Sequence, residues 1–326
     1  MKTEIKTACR GVLAAAFGVL VVAAAPAAAQ ETIPECNIEV VIHSAYGGGT
    51  DTTARMMMIR TRRELERDMA VIAQRGGSGA KAQNYVLSKP ADGCTVMALT
   101  QSHLYTMARG KSDMKIDDIL GVARAMDDPT FIVVNAEGKL KTLEDLIAAS
   151  KEAPLNWGVA QIGGTEHIGL AQLAKAADFK YKVVPFGSGA QMVQALLSGA
   201  IDATLPNVSE GASQVEEGSF SALAVMAEKR LADFPDVPTT YEKGYKVKTS
   251  TTRGYAVLAS TPKPVIEQIS AAMVKAMKHD TFANYLASSG LTPEDSVAGW
   301  EIWDKQLKEE YAIAAEALKE LGLMDQ

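Results

Sequence analysis

Apolar and polar positions along the chain follow two rhythms. Short runs rich in β-branched residues, Ile38 to Ile42, Ala70 to Ala73 and Thr95 to Leu99, read as strands. Between them, Thr52 to Met69 and Ala80 to Ser88 carry helical spacing. This β-α-β-α-β order predicts a parallel sheet with right-handed crossovers. The same rhythm resumes downstream. Phe131 to Val134, Asn156 to Val159 and Lys182 to Pro185 read as strands, each followed by a helix: Leu143 to Glu152, His167 to Ala177, Gln191 to Ser198. Ala203 to Leu205 and Ala222 to Met226 follow as further apolar runs. The chain ends in helical patterns. Pro264 suits a first helical turn, and Ile266, Ile269, Met273 and Met277 share one face. From Trp300, a second stripe joins Trp303, Leu307, Tyr311, Ala314, Leu318 and Leu321. Both stripes read as packing faces rather than partner-binding ones. Without repeats or a long linker, two such units predict two α/β lobes that share strands.

The first thirty residues stand apart. Lys2, Lys6 and Arg10 precede an apolar run from Gly11 to Ala25, and Ala27-Ala28-Ala29 precedes Gln30. This is the pattern of a secretory signal cut near Ala29. The stretch is long enough to approach a membrane span, but Ala and Gly dominate it. Cys9 lies ahead of the apolar run, so a lipoprotein anchor is not expected. The chain of 326 residues has 47% hydrophobic and 22% charged residues, the composition of a globular protein. Its formal charge of −6 argues against a nucleic-acid partner held by a basic surface. Three cysteines and four histidines give neither a disulfide scaffold nor metal-finger spacing, so no metal and no cofactor is expected. Cys36 and Cys94 each precede a predicted strand. If those strands are parallel neighbours, the two thiols meet at one sheet edge and an oxidising compartment lets them pair; otherwise they are two buried thiols.

The informative feature is where glycines fall. Strand 38–42 runs into Ser44-Ala45-Tyr46-Gly47-Gly48-Gly49-Thr50-Asp51 and then a helix. Gly76-Gly77-Ser78-Gly79, Gly163-Gly164-Thr165-Glu166-His167 and Gly187-Ser188-Gly189 occupy equivalent strand-to-helix positions, and strand 95–99 ends in Thr100-Gln101-Ser102-His103. Glycine lets the backbone approach a ligand and expose its N–H groups. A helix N-terminus adds unpaired donors and partial positive charge. Ligands of open parallel sheets bind at the carboxyl ends of strands. Several such loops on one cleft make an anion site without Arg or Lys, although any one of them serves equally as a tight turn. Asp51 either caps its helix or accepts a hydrogen bond from a ligand.

Nucleotide and catalytic motifs are missing. Gly110-Lys111-Ser112 lacks the upstream glycine of a phosphate-binding loop, and Thr52 stands where a dinucleotide fingerprint needs its third glycine. There is no Gly-x-Ser-x-Gly elbow and no His-Glu-x-x-His. Ser102-His103 and Glu166-His167 are adjacent in sequence, which does not make a dyad. An exported hydrolase using Ser102 or His103 and a ligand-presenting sensor module stay open as alternatives, but no enzyme is expected.

These residues resemble the substrate-binding proteins of tripartite tricarboxylate transporters, the Bug/TctC-like family. Tyr46-Gly47-Gly48-Gly49-Thr50-Asp51 with Ala54-Arg55 resembles the family's first loop, and Gly76-Gly77-Ser78-Gly79 its second. Asp92-Gly93-Cys94-Thr95 resembles Asp-Gly-Tyr-Thr, and Phe186-Gly187-Ser188-Gly189 with Leu197-Ser198-Gly199-Ala200-Ile201-Asp202 resembles a third loop region. The most specific match is Arg230, then Phe234-Pro235-Asp236-Val237-Pro238-Thr239, then Glu242-Lys243-Gly244-Tyr245. The resemblance spans the chain beyond the signal. It implies a periplasmic-binding-protein type II-like α/β fold, residues 30–128 plus 254–326 forming one lobe and 129–253 the other. A two-segment hinge near Asp128 to Thr130 and Thr251 to Gly254 joins them. It implies capture of a small organic acid, a di-, tri- or aromatic carboxylate, in the inter-lobe cleft through backbone N–H groups, and delivery by a monomer to permease subunits of the membrane transporter. Carried over, the loops are Tyr46, Gly48, Gly49, Thr50 and Asp51, and Phe186, Gly187, Ser188, Gly189 and Ala190. Ser102, His103, Thr165, His167 and Asn207 line the cleft, and Tyr46 and Phe186 stack on a ring or only seal it. Two departures stand out. Cys94 replaces the family's aromatic, which favours the Cys36–Cys94 pairing. Arg253 precedes Gly254-Tyr255-Ala256-Val257, where the chain is expected to cross between lobes; it is a candidate bidentate partner for a distal ligand carboxylate, or else a surface arginine.

Overall fold

The computed structural model describes residues 32–324, so the predicted signal, residues 1–29, lies outside the described residues. The first strand, β1 (Ile38–Ile42), is buried at four of five positions. Such a run needs cover on both faces, as a central parallel strand has. It leads through the glycine loop to α1 (Gly49–Leu65), then β2 (Met69–Ala73), α2 (Ala80–Leu87), β3 (Thr95–Leu99), α3 (Gln101–Ala108) and the long β4 (Ile119–Pro129). A second set follows: β5 (Phe131–Asn135), α4 (Leu143–Glu152), β6 (Leu155–Val159), α5 (Thr165–Ala177), β7 (Tyr181–Pro185), α6 (Gly189–Leu197), β8 (Ala203–Thr204), α7 (Val208–Glu216) and β9 (Phe220–Val225). The remainder is β10 (Ser250–Leu258), α8 (Lys263–Met277), α9 (Asp280–Ala287), α10 (Pro293–Ser296), β11 (Ala298–Gly299) and α11 (Trp300–Glu320).

Two sheets result, a six-stranded one ordered β11-β4-β10-β3-β1-β2 and a five-stranded one ordered β7-β6-β8-β5-β9. The α/β class with two sheets agrees with the expectation. The parallel pairing expected of the first three strands is present, but antiparallel strands extend both sheets. β1, β2 and β3 are parallel, but β10 runs antiparallel to both β3 and β4. In the second sheet β6 is parallel to β7 and β8, while β5 is antiparallel to β8 and β9. The antiparallel strands are those that carry the chain between sheets. It leaves the first at Pro129, enters the second at Phe131, and rejoins the first at Ser250.

Each sheet has its own core. Ile38, Val40 and Ile42 pack with Met57, Ile269, Met273 and Phe282 in the first. Ile132, Trp157, Leu170 and Leu173 pack in the second. Each fully buried Leu, Ile or Met contributes about 1.5–3 kcal/mol by removal from water. The terminal stripes are packing faces: Trp303 and Leu307 join the first sheet's other face. Trp303 lies where a Cβ on Gly121 or Gly254 would stand, 2.7 Å and 2.5 Å from its ring, and its Nε1 donates to the Tyr255 carbonyl at 3.1 Å. Farther along α11, Leu318 reaches Ile168 on α5, so this helix touches layers of both sheets.

Cys36 and Cys94 are joined by a disulfide, their Cα atoms 6.1 Å apart. The residues sit just before β1 and β3, which pair in parallel, so both sulfurs reach the same edge.

Candidate functional site

The carboxyl ends of β1, β3, β6 and β7 point toward one cavity between the sheets. Ser44, Gly48, Gly49, Thr50, Ser102, Thr165, Ser188, Gly189, Asn207 and Arg253 line it, together with His43, Thr100, Gln161, Glu166, Glu210 and Thr251. Its volume is about 30 Å³, room for two or three waters at 10–15 Å³ each. A six-carbon dicarboxylate does not enter this state without the walls parting.

Three helix N-termini frame the cavity. Gly48 precedes α1 in extended backbone and carries no side chain, so the first N–H groups of α1 open onto the site. Gly164 does the same for α5, and Ser188 caps α6, accepting from the Gln191 N–H at 3.4 Å. Ser102, in the first turn of α3, meets Thr165 across the gap: its Oγ accepts from the Thr165 N–H at 3.2 Å, and the two hydroxyls are 3.3 Å apart. Ala45 N–H donates to the Gly187 carbonyl at 3.1 Å. The two sides are thus held by direct hydrogen bonds.

Arg253 is 5% exposed and is not a surface arginine. A register shift in the β10–β4 pairing falls between Arg253 and Gly254; bulges of this kind re-aim a side chain. Its Nη2 donates to Asp128 Oδ2 at 3.1 Å and to Asn207 Oδ1 at 2.9 Å, and Nη1 lies 3.3 Å from Thr50 Oγ1. Its fork is largely occupied by the protein, which corrects the expectation of a bidentate clasp on a ligand. Three of its five N–H donors are engaged, which leaves Nε, buried and without a partner, and one Nη1 N–H for a ligand. Asp128 is wholly buried, and Ser209 donates to it through both N–H and Oγ. Burial raises the Asp128 pKa, opposed by Arg253 and Ser209. Burial alone would lower the Arg253 pKa, but Asp128 and Glu210 raise it.

Glu210, in the first turn of α7, reaches across the gap and its Oε1 accepts from the Gly49 N–H at 2.7 Å. A Cβ on Gly189 would stand 2.0 Å from its Oε2. The two glycine loops therefore close on a carboxylate of the chain itself. Glu166, 9% exposed in the first turn of α5, also faces the cavity, its Oε2 without a partner. Burial pushes its pKa up to about 7. His43 stacks edge-on against His103 at 4.1 Å. Burial, then the neighbouring His103 and Arg253, hold His43 well below the usual histidine range, and burial holds His103 at about 4. Both rings are neutral at pH 7.

Other expected residues lie off the cavity. Both Asp51 oxygens are taken by its own loop, Oδ2 by the Gly47 N–H and Oδ1 by Arg55 Nε, each at 2.8 Å. Asp51 shapes the loop rather than facing a ligand. Tyr46 is 58% exposed, with the Arg55 guanidinium 5.6 Å from its ring centre. Phe186 and Gly187 line an adjoining groove with Arg75 and Ile162, which shares His43, Ala160 and Gln161 with the cavity, and Ala190 is not among the residues that line the cavity. His167 Nδ1 accepts from the Gly163 N–H at 2.8 Å, holding the loop before α5. His103 Nδ1 accepts from the Thr100 N–H at 3.1 Å, behind His43. Ser102 and His103 point to different partners and form no nucleophile–base pair. Among the described residues no group of three or more His, Cys, Asp or Glu is placed to hold a metal.

Glu210 and His43 were not singled out from the sequence, and Glu166 entered only as the neighbour of His167. Asn207-Val208-Ser209-Glu210 reads as a capping box, which assigns Glu210 to its own helix end. In the fold Asn207 instead donates to the Asp128 carbonyl at 2.9 Å, and Glu210 turns outward to Gly49.

Two α/β sheets closing on a polar cavity, where loops leave the strands' carboxyl ends, make the architecture of a periplasmic solute-binding protein. The profile of the family described as "Tripartite tricarboxylate transporter family receptor" matches residues 53–318, and the chain belongs to that family. It is 27% identical to Protein BugT of Bordetella pertussis over 86% of this chain and 89% of that protein. Among solved structures, the periplasmic binding protein BugD superposes with a TM-score of 0.83 at 22% identity, covering 89% of this chain and 99% of the other. MatC of Rhodopseudomonas palustris with bound malate gives 0.81 at 22%, covering 87% and 99%.

Proposed function

We propose that this chain is an exported, periplasmic receptor that captures a small organic carboxylate between its two lobes and presents it to the membrane subunits of a tripartite tricarboxylate-type transporter. The observation that carries this reading is the polar cavity itself. It is built from helix N-termini and hydroxyls contributed by both sheets, with Arg253 Nε and the hydroxyls of Ser44, Thr100 and Thr251 buried there without partners. Buried polar atoms left unsatisfied are costly, and a ligand carboxylate between them supplies acceptors to several at once. The malate bound by MatC is a ligand of that chemistry. The lobes, residues 30–128 with 254–326 and residues 129–253, would hinge where the chain crosses between sheets, at Asp128 to Thr130 and Thr251 to Gly254. Opening there would separate Ser102 from Thr165 and Glu210 from Gly49.

The test is a thermal-shift and calorimetric screen of the mature protein against organic acids, after unfolding and refolding to strip bound ligand. A ligand at about a hundred times its Kd stabilises by about 2.7 kcal/mol, a shift of a few degrees. No shift from any carboxylate would sink the reading.

A further inference from the structure

The cavity's charge inventory is unusual for an anion site. Its glycine cradle already holds a carboxylate: Glu210 Oε1 takes the Gly49 N–H at 2.7 Å, and its two oxygens lie 2.0 and 2.4 Å from where a Cβ on Gly189 would stand. A second carboxylate, Glu166, is nine-tenths buried with Oε2 unpartnered. The cation in the wall, Arg253, is matched by Asp128 through a 3.1 Å ion pair. His43 and His103 stack on one another and are both neutral at pH 7, so they add no compensating charge. The ion pair cancels itself, which leaves the Glu210 carboxylate and Glu166, part-protonated at pH 7 and able to ionise against a cation. A ligand bringing only negative charge meets like charges at contact distance, in a site where burial weakens screening.

We propose that the site selects a compact zwitterion, an amino-acid-like ligand whose protonated nitrogen is held by Glu210 and Glu166. An ammonium has three donors and no acceptor, which suits two carboxylates, one with a free oxygen. The carboxylate of the same ligand meets the Arg253 Nε and the unpartnered hydroxyls of Ser44, Thr100 and Thr251. The two poles of the cavity thus match the two poles of the ligand, and Glu210 is a specificity-determining residue. This inference rests on the carboxylate-receptor reading above and narrows its ligand.

Matched pairs sharing a carbon skeleton test it: succinate with aspartate, glutarate with glutamate, propionate with alanine, and 3-phenylpropionate with phenylalanine. Each is titrated calorimetrically into the refolded wild type and into Glu210→Gln and Glu166→Gln. In at least one pair the amine-bearing member is expected to bind at least tenfold tighter to the wild type. Glu210→Gln is expected to abolish that preference, and Glu166→Gln to reduce it. The wild-type comparison stands whether or not a variant folds. If the amine-free member binds as tightly or tighter, the inference is overturned while the receptor reading survives. If no member of any pair binds, the inference is overturned, while the receptor reading is decided by the wider organic-acid screen.

Discussion

Arg253 is the residue on which the centre of the molecule turns. It is buried, pinned by Asp128, Asn207 and Thr50, and it approaches Gly49 so closely that a Cβ there would stand 2.4 Å from its Nη2. Removing one partner of a buried ion pair leaves the other charge uncompensated, at a cost of about 3–5 kcal/mol. Arg253→Ala is therefore expected to lower the free energy of urea unfolding by that amount. Asp128→Asn in the same chain should recover part of the loss, because it removes the stranded carboxylate. A loss below about 1 kcal/mol in the single variant would show that water replaces the guanidinium and that the pair is not load-carrying. Gly49 illustrates the complementary role of an absent side chain: its missing Cβ is what lets Arg253 and Glu210 meet over one backbone N–H.

At the scale of elements, the Cys36–Cys94 bridge ties the entry of β1 to the entry of β3. It closes a segment with a sequence separation of 58 that contains α1, β2 and α2. On the loop-entropy account such a closure stabilises by about 4 kcal/mol. The Cys36→Ser, Cys94→Ser double variant is expected to melt several degrees lower than the oxidised protein, and the reduced wild type to melt beside the variant. Equal melting of oxidised and reduced protein would show that the sheet alone holds these ends together. The β4–β10 pair is the other decisive element. Both strands lie antiparallel in the first sheet, and both lead to or from the second, so their irregular register at Arg253/Gly254 sits where one sheet gives way to the other.

For the whole molecule, burying titratable groups in one cavity makes stability depend on pH. Glu166 faces Glu210 on α7, Arg253 on β10 and the Ala160 backbone, and its pKa is raised by burial from 4.5 to about 7. The folded state thus holds a proton that the unfolded state releases, so this contribution is full below pH 4.5 and is lost as pH rises to 7. It amounts to roughly 3 kcal/mol at most. His103 acts in the opposite sense. Its pKa falls from 6.5 to about 4 by burial, so its contribution is present above pH 6.5 and lost as pH falls toward 4. His43 and His167 are lowered by burial as well and act in the same sense as His103, so the Glu166 contribution is isolated only by comparison with a variant that lacks it. Urea unfolding between about pH 5 and 7.5 is expected to show wild-type stability falling relative to that of Glu166→Gln as pH rises toward 7; parallel profiles would show that Glu166 holds no extra proton in the folded state.

Much of this was legible along the chain, and for a common reason. β1, β3, α4 and α11 announce themselves because burial of one face, or of a whole strand, is written into local spacing. The loops at Gly48, Gly49, Ser188 and Gly189 were legible because a turn with close backbone approach admits few other residues. Helix starts were less so: α3 begins one residue after β3, so Ser102 and His103, expected in a loop, lie in a helical first turn. β4 was missed because Arg124, Asp127 and Asp128 interrupt its apolar run, each polar group finding its partner on a distant element. The roles of Asp51, Glu210 and Arg253 were set by tertiary structure alone. A carboxylate at a helix start satisfies its own backbone or a neighbour's equally well in one dimension. Only the approach of α7 to α1 turned Glu210 into the cavity, and only the meeting of β4 with β10 gave Arg253 its counter-ion.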